Sequence, residues 1–156
     1  MTIINKDVKV TSGKLIRVSN DKRAVLTNAK HWYYALWVED HDGTNERCIM
    51  LTQREFEAPA KRAKNNQEDC ILVGKDSALR LEKVLWDKPG KTVRVYNKNR
   101  THWKANTTYI AIIVNHEDGC QQTLLFTDYE LKRAENRATR NPEDVPKKGF
   151  LANLFD

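Results

Sequence analysis

The sequence predicts an α+β fold of two similar β-rich units, each ending in a helix and packed together as a pseudo-twofold pair. Three observations carry this expectation. Much of residues 14–69 occurs again at 91–144. Each copy holds a run that is apolar or aromatic at every position, followed by an Asp-Gly turn. Each copy then reaches a Thr-x-x-Glu signature that opens a helix-periodic stretch.

The repeat keeps order, spacing and residue type. Lys14, Arg17, Val18, Asn20 and Arg23 return as Lys91, Arg94, Val95, Asn97 and Arg100. Tyr33, Ala35, Val38, Asp42 and Gly43 return as Tyr109, Ala111, Val114, Asp118 and Gly119. Thr52, Glu55, Arg62, Ala63 and Asn66 return as Thr127, Glu130, Arg137, Ala138 and Asn141. The offset drifts from 77 (Arg17 to Arg94) through 76 (Tyr33 to Tyr109) to 75 (Thr52 to Thr127), so two single-residue gaps suffice. This is the pattern of an internal duplication, with a first unit at 1–75 and a second at 76–156. At 156 residues the chain makes one ordinary domain or two very small ones. Units so small bury a low fraction of their surface alone, so the copies are expected to share a core.

In chain order, Ile4, Val8 and Val10 point to a short strand ending at Ser12-Gly13. Leu15–Val18 and Thr92–Val95 follow as equivalent strands, with Ile16, Val18, Val93 and Val95 inward and Arg17 and Arg94 outward. Polar, basic loops come next, Ser19–Lys30 and Tyr96–Thr107. The second strands, His31–Glu39 and Thr108–Asn115, read as central and covered on both faces, which makes Trp32, Tyr34 and Trp37 core residues. Asp42-Gly43 and Asp118-Gly119 predict tight primed hairpin turns into Cys48–Leu51 and Thr123–Phe126. Helices start at Thr52 and Thr127, and Pro59 is expected to kink the first or delay its start. Cys70–Gly74 reads as one more strand, and Leu79–Trp86 leans to strand because it enters Pro89-Gly90.

Composition narrows the function. No apolar run reaches membrane-spanning length, and the first residues lack the apolar stretch of a signal peptide. Three cysteines without paired spacing suit a reducing cytoplasm and give no zinc pattern. There is no glycine-rich phosphate loop, no nucleophile elbow and no metal-ligand histidine spacing, so neither enzyme, metal nor cofactor is expected.

The net charge of +6 is concentrated. Residues 14–31 carry +4 and residues 91–107 carry +5, which leaves the rest at −3. A polyanion-binding surface at one repeated location has this footprint. Lys14, Arg17, Lys22, Arg23, Lys30, Lys91, Arg94, Lys98, Arg100 and Lys104 are the candidate phosphate contacts, with Trp103 available to stack on bases or pack in the core. Double-stranded DNA, read with little sequence specificity, is the expected ligand. RNA and an acidic protein partner of an adaptor or inhibitor are the alternatives.

The openings Ser12-Gly-Lys-Leu-Ile-Arg-Val18 and Pro89-Gly-Lys-Thr-Val-Arg-Val95 resemble the start of a KOW or other SH3-like small barrel. Modules of that kind commonly bind nucleic acid or transcription machinery. The chain as a whole resembles the small early proteins of T-even-type phages, in particular MotB-like transcription modulators, which implies host-takeover DNA binding in a bacterial cytoplasm or nucleoid. The helix after the third strand departs from a plain KOW module. Leu151–Phe155 resembles the sliding-clamp peptides that end T-even phage polymerase and late-transcription factors, and a terminal segment docking on its own core fits it equally.

Overall fold

A computed structural model describes residues 11–20, 31–66, 70–73, 89–97 and 108–149. The first unit runs β1 (Ile16–Asn20), β2 (His31–Asp40), β3 (Arg47–Leu51), α1 (Gln53–Asn66) and β4 (Cys70–Leu72). The second runs β5 (Lys91–Asn97), β6 (Thr108–Asn115), β7 (Gln121–Phe126), α2 (Asp128–Arg140) and a single 3-10 turn, Pro142–Asp144. The expected N-terminal strand at Ile4–Val10 and the segment Leu79–Trp86 lie outside the described residues.

The described strands form one curled mixed sheet, a half-barrel that is SH3-like in general kind, with two helices packed on it. β2 pairs antiparallel with β1 and β3, and β6 does the same with β5 and β7. The two triplets are joined by a short parallel contact, Glu39 with Lys91 and Asp40 with Thr92. β4 adds to the free side of β5.

Apolar side chains on both faces of β2 and β6 produce three clusters. The central one takes Leu36, Val38, Ile49 and Leu51 from the first unit and Ile112, Val114, Leu124 and Phe126 from the second. Tyr33, Ala35 and Met50 turn the other way with Ile16, Val18 and Ala138. Tyr109, Ala111 and Leu125 do so with Val93, Val95 and Ala63. Each fully buried Leu, Ile or Phe contributes roughly 1.5–3 kcal/mol, and in the central cluster that burial requires both units.

The helices exchange. α1 packs on β7 and α2 packs on β3, so each helix covers the other unit's third strand. Both begin with a reciprocal cap. Thr127 Oγ1 accepts from the Glu130 N–H (3.1 Å) while Glu130 accepts from the Thr127 N–H (2.9 Å). Thr52 and Glu55 make the same two bonds at 3.2 and 2.9 Å. An arginine from the opposite helix then seals each cap. Arg62 donates to the Leu125 carbonyl (2.5 Å) and to both Glu130 oxygens (2.7 and 3.2 Å). Arg137 donates to the Met50 carbonyl (2.9 Å) and to both oxygens of Glu55. Tyr33 and Tyr109 lie under the Arg137 and Arg62 guanidinium groups. Burial pushes the Glu55 and Glu130 carboxyls up. The facing arginines and the threonine N–H groups outweigh it and hold both below the ordinary glutamate value of 4.5.

The units cross at Gly13 and Gly90. Both glycines have positive φ (83° and 82°), and a Cβ on either would meet the other's backbone nitrogen at 2.6 Å. Gly13 donates to the Trp37 carbonyl and Gly90 to the Ile113 carbonyl, both at 2.8 Å. Only a residue without a side chain permits so close a backbone approach.

Two local expectations change. The hairpin turns are not of the primed kind. Gly43 donates to the Asp40 carbonyl and Asp40 to the Thr44 carbonyl, and Gly43 (φ 89°) takes the left-handed conformation while Asp42 does not. His116, Asp118 and Gly119 repeat that arrangement. The extra residue makes the wider loop in which Gly43 and Gly119 take a positive φ, joined in the first hairpin by Asn45 (φ 58°). Pro59 does not delay the start of α1, which runs through it from Gln53, and its ring is buried.

Candidate nucleic-acid interface

Strand alternation sets which way the candidate basic residues face. On β1, Ile16 and Val18 are buried and Arg17 lies opposite Tyr34. On β5, Val93 and Val95 are buried and Arg94 lies opposite Ile110. Both arginines thus stand on the strands that lead into the basic loops. Lys22, Arg23, Lys30, Lys98, Arg100, Trp103 and Lys104, on the loops themselves, lie outside the described residues.

The four candidate basic residues that fall within the described segments have different surroundings. Lys14 is half-buried where its backbone bridges to Asn115. Lys91 is paired with Glu39 at 2.5 Å and keeps 24% side-chain exposure. Arg94 is exposed, bonded to Asp128 (2.9 Å) and to the Thr108 hydroxyl (3.4 Å). With side chains 45% and 68% exposed, the Arg94–Asp128 pair is worth at most about 1 kcal/mol. Arg17 has its Cζ 3.4 Å from the centroid of the Trp32 ring. Trp32 meets Tyr34 edge-on at 5.3 Å, and Tyr34 leans on Phe56 at 4.7 Å. Trp32, Tyr34 and Trp37, expected as core, are only partly buried.

The sequence reading missed the carboxylates that meet two of these cations, Glu39 and Asp128. Asp128 was legible only as a helix-opening residue, since its reach to β5 depends on how β7 delivers α2. The chain after α2 returns to the first unit. Trp37 Nε1 donates to the Pro146 carbonyl (2.8 Å), and Lys148 pairs with Glu46 (2.9 Å). The clamp-like Leu151–Phe155 lies outside the described residues.

Among the described residues no cluster of His, Cys, Asp and Glu could hold a metal ion. Burial pushes the Cys48 thiol up to about 12, far from a reactive thiolate. Cys70 is also buried, and only Cys120 is exposed. No helix among the described residues is long and apolar enough to cross a membrane. Comparison of the chain with protein-family models, with curated proteins and with solved structures gave no match.

Proposed function

We propose that the chain is a duplicated SH3-like unit of the KOW kind and binds double-stranded DNA without catalysis, as a MotB-like phage modulator of host transcription in the bacterial cytoplasm or nucleoid would. The observation that carries this is the distribution of charge. Two equivalent strand-and-loop segments hold +4 and +5 while the remainder is −3. Arg17 and Arg94 stand at equivalent strand positions ahead of both loops, and the exposed Arg94 is held by a bond weak enough to yield to a phosphate. Contacts of this type neutralise the backbone and carry no base information, so binding is largely independent of sequence.

Changing Arg23, Lys30, Arg100 and Lys104 together to glutamate tests the reading. Loss of duplex binding with an unchanged circular dichroism spectrum and melting transition supports it. Undiminished binding by the folded variant refutes it.

A further inference from the structure

The two arginine-bearing ends are not alike. At the first, the Arg17 guanidinium lies at stacking distance over Trp32, which begins an aromatic tier continued by Tyr34 and Phe56. At the second, Thr108 stands in the place of Trp32 and Ile110 in the place of Tyr34, and Arg94 bonds Asp128. Further along the same strand face, Leu36 and Val38 are fully buried, whereas Trp32 and Tyr34 reach the surface. Closing the core accounts for the Tyr34–Phe56 contact. It does not call for an indole carrying a cation at the edge of the core.

We infer that the Arg17–Trp32 tier is a stacking site for an unpaired nucleobase of a single strand. This rests on the nucleic-acid reading above and divides its two ends into a stacking end and a phosphate-only end. Indole and guanidinium planes both stack on bases, and the Arg17 charge serves the adjoining phosphate. Bases paired within a duplex have their faces covered by neighbours, so the tier favours single strands. Loss of a stacking aromatic is expected to cost roughly 10-fold to 100-fold in single-strand affinity.

The test is fluorescence anisotropy of the full chain on oligo-dT, oligo-U and a duplex of equal length. Trp32→Leu is expected to weaken single-strand binding at least tenfold more than duplex binding. Trp32→Phe, which keeps a π face, is expected to recover most of that loss. Arg17→Lys keeps the charge without the plane, so it is expected to show the same single-strand bias even if Trp32→Leu fails to fold. Arg94→Gln is expected to weaken single strands and duplex equally. Equal losses on single strands and duplex for Trp32→Leu and Arg17→Lys, or none, overturn the stacking site and leave the DNA reading standing. Failure of the wild type to bind any of the three oligonucleotides overturns both.

Discussion

Replacing Arg137 by alanine removes a guanidinium that joins the second unit's helix to the first unit's third strand. Three contacts go with it: the Met50 carbonyl loses its donor, Glu55 loses a two-pronged partner, and Tyr33 loses the cation above its ring. Breaking a fully buried ion pair costs about 3–5 kcal/mol, and an exposed one at most about 1. The Arg137 and Glu55 side chains keep 16% and 20% exposure, and Glu55 retains Arg133 at 3.2 Å and the Thr52 N–H. The expected loss is therefore about 2–3 kcal/mol, or a melting point lower by roughly 5–10 °C for a chain of this size. Urea unfolding followed by circular dichroism measures it. Arg62→Ala removes the reciprocal contact to Glu130 and Leu125 and is expected to cost a similar amount. The two losses are expected to add in the double variant, since no partner is shared. A cost below about 0.5 kcal/mol for either single variant would mean that the exchanged helices are held by apolar packing alone, and would refute the reasoning.

Three further outcomes follow from the same geometry. Glu55 and Glu130 have carboxyls held below 4.5, so their contribution is complete above that pH and is lost as pH falls through it toward the depressed folded values; acid titration of stability is expected to fall there, and to fall less steeply in Arg137→Ala. Gly90→Ala combines positive φ with a 2.6 Å clash against Gly13, whereas Gly119→Ala has positive φ and nothing within 4 Å; thermal melts are expected to show a loss of about 1–2 kcal/mol for Gly119→Ala and a clearly larger one for Gly90→Ala. Residues 1–75 alone lack the β6, β7 and α2 residues of the central cluster, so calorimetry of that fragment is expected to show no cooperative transition like that of the whole chain.

The parts legible in the sequence are those that local chemistry determines. Tyr33–Val38 and Tyr109–Val114 are apolar throughout, and such runs require cover on both faces, which β2 and β6 have. Asp-Gly marked both hairpins, but loop width depends on strand register, which composition does not encode. The exchange of helices was not legible. Arg62 and Arg137 read only as matched positions of the repeat, and the packing of α1 on β7 and α2 on β3 is what brings them to Glu130 and Glu55. For the interface, the exposure of Arg94 followed from strand alternation, whereas Arg17, expected to face out, is half-buried with its guanidinium over Trp32. The partial exposure of Trp32 did not follow, because a uniformly apolar run gives no sign of where a strand leaves the core.

The central claim is that two duplicated basic segments bind one duplex electrostatically, and a salt titration reaches it most directly. Each neutralised phosphate releases counterions, so log affinity falls against log salt with a slope of roughly −0.9 per contact. With about six contacts, affinity is expected to drop on the order of a thousandfold between roughly 50 and 200 mM salt. Neutralising the basic residues of one unit is expected to halve the slope and to lower affinity beyond one site's share, because the second contact then loses its effective concentration. Two unrelated duplexes are expected to give the same line. A flat salt dependence, or a strong preference for one duplex, would contradict the account.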